Sequence, residues 1–482
     1  MWKKIIWPLF VLACAALAGW LTYACGLTGF RGADQSLLLD VAYRVHLGQH
    51  PYTDFFTTFP PIFFWGCKTA FGLFGVKWQS LVVLEAFVSQ LGFLICNFLL
   101  LKITERKWLS GIGAAAIVVM TCSLFGFWWY DGVTDLIGCI LLLTVAWRAK
   151  SQSILSLVVL VAVNTVLLYC KLNIGLGLTF LICLYFLTVK NVTECVAYLC
   201  SMFTIGTIVA ASNRDMLGCC FSVCGRALQI GKSFDQLPPL EIVKNFGCPL
   251  LVLVLLVYHL TRTKRMSFLS FAAFSCYVIG FFTDGELKIV CCSFGVVGLL
   301  LLSHEALTYF AVGSLCWIAA MSALSRDRVL CAAWPYPIPQ ARFEQKFHGG
   351  LFDKLKVEGV AVSLLMQVDK AIRQYGTNAW FNTGLDYAYP LYSIAPPTNE
   401  FLYWWPGVSF AENKRADMLA EMLDHKHEFI YTFAWPFSQG DLEVVRQKYD
   451  EIPNTSGYCF MIFKLKRDRL ENVLKVNNLT PP

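Results

Sequence analysis

Long apolar runs separated by short polar breaks fill the first two thirds of the chain, and the pattern changes beyond residue 325. The apolar runs cover residues 5–27, 79–101, 109–127, 133–147, 153–170, 174–189, 195–212, 246–260, 267–283, 287–303 and 306–325. In hydrocarbon every backbone polar group needs an internal partner, so runs of this kind predict about eleven membrane-crossing helices. Residues 343–482 have shorter, mixed periods. There Val360 to Val368, Glu428 to Trp435 and Tyr458 to Lys464 predict strands, while Phe343 to Val357, Glu412 to Asp424 and Leu442 to Tyr449 predict helices. The expected organisation is a transmembrane domain over 1–327, with an outer loop 28–78 carrying interfacial helices, followed by a soluble extracytoplasmic α/β domain over 328–482.

Composition agrees with that pattern. With 57% hydrophobic and 15% charged residues, a soluble chain could not cover its surface. The net charge of +7 would suggest nucleic acid in a soluble protein, but the basic residues collect in short connections between apolar runs. They read as topology signals and lipid head-group contacts, and no nucleic-acid partner is expected. Most of the 20 Cys lie in apolar segments, and Cys459 alone lies beyond Cys331, so the tail is not a disulfide-stapled module. No zinc-type Cys pairing occurs, and Gly349-Gly350 lacks the spacing of a nucleotide-binding loop. Ile5 to Cys25, after Lys3-Lys4, resembles a signal peptide but lacks a convincing cleavage site, and is read as an uncleaved first helix.

Charge sets the expected orientation. Lys3 and Lys4 place the N-terminus in the cytoplasm, and counting forward puts Lys102 to Lys107, Arg148 to Lys150 and Thr261 to Arg265 on that same side. The agreement holds only if Pro60 to Val76 lies on the outer surface instead of crossing, started by Pro60-Pro61 and broken by Gly72 and Gly75. The C-terminal region then faces outward. Asp34, Asp54, Asp131, Asp135, Lys171, Arg214 and Arg226 gather by topology at the outer face, where ionisable residues tend to line a site.

The first outer loop holds the most informative motif: Asp34 shortly after the first span, Tyr43-Arg44 further along the same predicted helix, Gly48-Gln49-His50-Pro51-Tyr52-Thr53-Asp54, then Pro60-Pro61 before an aromatic run. Leu37, Leu38, Val41 and Val45 give that helix its apolar face. This array resembles the membrane glycosyltransferases of the GT-C fold, in particular the bacterial enzymes related to protein mannosyltransferase and to the aminoarabinose transferase of lipid A. The resemblance implies a sugar donor carried on a polyprenyl phosphate, a lipid, glycan or protein acceptor, and Asp34 as the catalytic base. Relatives often carry Asp-Glu where this chain has Asp34-Gln35, which leaves one carboxylate at that point.

The chemistry asks for such a group on its own terms. An acceptor hydroxyl is a poor nucleophile until its proton is taken, and phosphate is already a good leaving group, so one base suffices and inversion follows. Lys171, in a turn resembling a phosphate-contacting region of the relatives, and Arg226 or Arg214 are candidates for the donor phosphate; the other reading makes them interfacial anchors. Asp131 and Asp135 could shape the acceptor or sugar site, hold a divalent cation (Mg or Mn) together with Asp34, or cap a helix. Tyr43, Asp54, Tyr403 and Trp404 complete the candidate sugar or acceptor site, although Asp54 could instead fix its own loop, and Tyr403 and Trp404 could rest on the membrane. Asp40 and Arg44, four apart, predict a local ion pair.

The expected function is transfer of a sugar from a polyprenyl-phosphate donor at the outer face of a bacterial inner or plasma membrane, with surrounding lipid as a further partner. A transporter or flippase of lipid-linked substrates is the alternative; inverted repeats that would favour it are not evident. A membrane scaffold would explain the spans but not the acidic loop.

Overall fold

The computed structural model describes residues 2–212 and 345–466 apart from short interruptions, the largest being 454–459 and 29–32. The last four expected spans, with Arg214, Arg226 and Tyr403, lie outside the described residues. Within them the chain is a polytopic α-helical protein with a C-terminal α/β region.

Among the described residues, helices α1 (Trp2–Gly26), α4 (Trp78–Thr104), α6 (Tyr130–Ser151) and α9 (Val192–Ser212) contain the four segments long and apolar enough to cross a bilayer. The rods between them are shorter: α5 (Lys107–Val118), continued by a π-helical turn at Val119–Ser123, α7 (Ile154–Cys170) and α8 (Leu172–Thr188). Together they match the first seven expected spans. Exposed Leu9, Leu12 and Trp20 on α1 and Val196, Phe203 and Ile208 on α9 are suited to lipid, whereas α6 is buried along most of its length. Asn164 of α7 donates to Thr179 of α8 at 2.6 Å and to the Tyr198 hydroxyl of α9, tying three helices at mid-depth.

The two ends of the bundle differ. At one, Lys150 pairs with Glu105 at 2.6 Å, and Arg148 pairs with Glu194 and donates to the Ser153 carbonyl. At the other, the 33–77 segment folds back over the helix ends. Its helix α2 (Ala33–His46) buries Leu37, Leu38, Val41 and Val45, the predicted apolar face. Helix α3 (Pro61–Phe74) has Pro at its first position and stops at Gly75, as its sequence predicts. Its 14 residues reach only about 21 Å, too short for a bilayer core, and it packs on α2, α4 and the end of α7. A side chain at Gly66 would meet the Trp128 ring at 2.2 Å, so glycine lets α3 seat against the turn before α6. Trp128 then donates its indole N–H to the Phe63 carbonyl at 2.9 Å. The same turn crosses the end of α1 so closely that a Cβ on Gly126, whose φ is +73°, would lie 2.3 Å from the Gly26 nitrogen.

The C-terminal region is built on a four-stranded sheet. Strand β4 (Ala379–Phe381) runs parallel to β6 (Phe429–Phe433), which pairs antiparallel with β8 (Phe460–Leu465), and β8 with β7 (Tyr449–Ile452). Phe381, Tyr431 and Phe460 stack across adjacent strands with interplanar angles of 9° and 7°. That face joins the core shared with α2 and α3; the other packs on α11 (Arg415–Asp424) and α12 (Gln439–Lys448), the latter closed by a Ser438/Asp441 capping box. Both helices, and β6 and β8, stand where the sequence predicts them.

Two expectations are corrected. Val360 to Val368 lies in a helix, α10 (Gly359–Tyr375), because Leu364, Leu365, Val368, Ala371 and Ile372 continue a helical stripe beyond the β-branched start. Phe343 to Val357 is not helical where described. It forms the short pair β2 (Gln345–Lys346) and β3 (Lys356–Val357) around Gly350 at φ +70°, and Lys356 donates its backbone N–H to the Leu27 carbonyl at 2.8 Å. Further ties hold the two regions together: Trp78 N–H to the Leu351 carbonyl at 2.8 Å, and a parallel pairing of β1 (Phe55–Phe56) with β5 (Glu400–Phe401).

Candidate functional site

Where α6 begins, Trp129 is extended and Tyr130 opens the helix, which projects Asp131 from its first turn. Lys171 stands between α7 and α8 with extended backbone, its own N–H closing α7 on the Leu167 carbonyl. The two meet: Lys171 Nζ lies 2.9 Å from Asp131 Oδ1 and 5.4 Å from the centre of the Tyr130 ring. Asp131 Oδ2 accepts from the Trp129 indole N–H at 3.2 Å. The lysine is therefore held against the Asp131 carboxylate and the Tyr130 ring, with 15% of its side chain exposed. Phe59, from the loop before α3, packs edge-on against both Trp129 and Tyr130 and stacks on Phe63, extending an aromatic wall around the pair.

A groove of about 730 Å³ lies between α4, α6 and α7. Leu136, Ile137 and Val166 line its upper end, five or six residues along their helices from Asp131 and Lys171; Phe98, Trp147 and Leu155 line its lower end. All its lining residues are apolar, which suits a hydrocarbon chain and no water-soluble ligand.

Asp34 sits, half-buried, in the first turn of α2. Tyr43 lies on the same helix, 8% exposed, with burial pushing its phenol up from its ordinary value. Asp40 and Arg44 form the expected ion pair, at 2.9 Å. Asp54 accepts the His50 backbone N–H at 2.7 Å, which fixes the turn. Asp135, one helical turn beyond Asp131, is 1% exposed inside the bundle. Trp404 belongs to the interior of the C-terminal region, 2% exposed among Trp380, Phe410 and Phe437. That position offers no face to a sugar or to lipid.

A divalent cation finds no fitting set here. Asp131 already gives one oxygen to Lys171 and the other to Trp129, and among the described residues no group of three or more His, Cys, Asp and Glu could hold a metal.

Three features escaped sequence reasoning. The Lys171–Asp131 contact joins residues that sequence assigned to separate tasks. Phe59 and Tyr130 complete the wall, with no signal beyond the local density of aromatics. Asp386 is buried against α2; a lone carboxylate in the otherwise apolar turn Leu385-Asp386-Tyr387-Ala388 was the available signal.

No protein-family model matches the chain, and no match is found among curated protein sequences. Among solved structures the chain is similar to ArnT from Cupriavidus metallidurans, in a crystal structure bound to undecaprenyl phosphate. That likeness has a TM-score of 0.51 at 12% identity, over 95% of this chain and 97% of that one. At this distance the likeness is one of architecture, and the chain has a GT-C-like fold.

Proposed function

We propose that this protein transfers a sugar from a polyprenyl-phosphate donor to a lipid, glycan or protein acceptor at the outer face of a bacterial inner membrane. The single observation that carries the reading is the wholly apolar groove running along α6 and α7, the two helices whose ends bear Asp131 and Lys171, which suits a long isoprenoid with a phosphate head. The structural likeness to a protein crystallised with undecaprenyl phosphate supports the same donor class.

In this reading the isoprenoid lies between α4, α6 and α7, and Lys171 meets the phosphate. Asp34 takes the proton of the acceptor hydroxyl as the acceptor oxygen bonds to the sugar's anomeric carbon. The bond from that carbon to the phosphate oxygen breaks, and the electron pair leaves with the polyprenyl phosphate. One displacement inverts the anomeric centre. Lys171 lowers the barrier by neutralising the phosphate as it leaves, and the Trp129–Asp131 contact keeps the ammonium in place beforehand. Tyr130 and Phe59 offer ring faces for the sugar.

The test is purified protein in detergent with a polyprenyl-phosphate sugar and a lipid acceptor, reading released polyprenyl phosphate. Asp34→Asn is expected to lower kcat by about a hundredfold or more with the fold retained. Unchanged turnover would remove Asp34 as the base, and movement of intact donor across liposomes without bond cleavage would make the protein a transporter.

A further inference from the structure

Helix α2 and the C-terminal region meet across a buried polar seam that the transfer chemistry does not require. Asp386 is 4% exposed and 350 residues from Ser36 along the chain. Its Oδ2 accepts from the Gly384 N–H at 2.9 Å and from Ser36 Oγ at 3.3 Å, while Ser36 Oγ accepts the Tyr387 N–H at 2.9 Å. From α2, Asp40 and Arg44 also act on Asp386. The Arg44 guanidinium is shared: it holds Asp40 at 2.9 Å, donates to the Pro397 carbonyl at 2.6 Å and lies over the Phe55 and Tyr389 rings. On the C-terminal side Tyr387 adjoins Asp386, with Tyr392 and Asp369 behind it. Two carboxylates thus share one cation in a seam closed to water.

We infer that Asp386 is a positioning residue, which in its neutral form accepts from the Ser36 hydroxyl and keeps α2, and with it Asp34, against the C-terminal region. Losing its proton puts a second negative charge beside Asp40 and loosens the seam. The link to turnover rests on Asp34 acting as proposed above; the seam itself does not.

Burial, reinforced by Asp40, pushes the Asp386 carboxyl up to about 8. In an opened seam, wetted, it would ionise near the ordinary value of about 4. The docked state therefore binds the proton more tightly, and docking is strongest in acid. It weakens tenfold per pH unit between about 4 and 8 and levels off above.

Hydrogen exchange of the α2 amides, compared between wild type and Asp386→Asn, cancels the intrinsic pH dependence of exchange. The ratio of wild-type to variant rates is expected to rise about 50-fold from pH 6 to 8 and only about twofold more by pH 10. Ser36→Ala should speed exchange at every pH and leave that slope intact. Asp40→Asn, which removes the second charge, should move the plateau to lower pH, and it serves as the measurement if Asp386→Asn does not fold. A ratio independent of pH, no effect of Ser36→Ala, or an unmoved plateau in Asp40→Asn would each overturn the inference. In turnover assays kcat should fall on the alkaline side for wild type and stay flat in Asp386→Asn. If exchange follows the expected course and kcat does not, the seam stands but its opening does not limit turnover, and Asp34's role is decided by Asp34→Asn alone.

Discussion

Replacing Asp131 by Asn should tighten binding of polyprenyl phosphate, although it removes a charged residue from the site. At 2.9 Å, and with the dielectric response typical of a protein, Lys171 and Asp131 attract by about 6 kcal/mol before desolvation is counted. Their side chains are 15% and 21% exposed, so most of that is offset by lost hydration, leaving about 1.5–3 kcal/mol for the charged hydrogen bond. An incoming phosphate must compete with this. An amide has a single acceptor oxygen and can satisfy Lys171 or Trp129 but not both, so the substitution frees part of the lysine's capacity and removes a like charge from the phosphate's path. The expected gain is about 1.4 kcal/mol, a tenfold fall in Kd. Native mass spectrometry of the detergent-solubilised protein with undecaprenyl phosphate would read it, with Lys171→Met expected to raise Kd about tenfold or more. Equal or weaker binding by Asp131→Asn, with an unchanged thermal midpoint, would refute the competition: Asp131 would then assist the phosphate.

Other outcomes follow from single features. Ala162→Trp places a ring in the apolar groove; because the tail would otherwise lie in lipid, the loss is one of packing contacts, about 1–2 kcal/mol, seen as a roughly tenfold rise in KM for the donor at unchanged kcat. Among the described residues neither carboxyl oxygen of fully buried Glu85 has a hydrogen-bond partner of normal geometry, and its near neighbour is the weakly donating Cys122 thiol, so Glu85→Met should raise Tm by about 2 °C or more in a thermal scan. A drop in Tm would mean that the carboxyl has a role in packing. Gly126→Ala meets both a left-handed backbone and the Gly26 nitrogen, and should cost about 3 kcal/mol or more in a denaturant melt.

The helical plan was legible because hydrocarbon leaves the chain few options: seven described helical rods stand where apolar runs predict them. The α2 face, the Asp40–Arg44 pair and the limits of α3 were legible for a local reason, since helical spacing and Pro/Gly positions act over a few residues. What escaped notice depends on partners far apart in sequence. Lys356 is extended because it bonds to Leu27, and Phe381 of β4 faces a core completed by residues numbered below 80. The Lys171–Asp131 pair joins two helix ends 40 residues apart, and no local pattern announces such a contact. Val360 to Val368 misled because its β-branched start was weighed over a stripe that runs on to Ile372.

The seam between Ser36 and Asp386 also has a consequence in time. During synthesis at 5–20 residues per second, the partner of Ser36 follows it by about 20–70 s. For that interval α2 has left the ribosome with α3 to pack against, while the carboxyl that closes its polar side does not yet exist. The 33–77 segment is therefore completed in two steps, α2 against α3 first and the Ser36 seam only when the last quarter of the chain arrives.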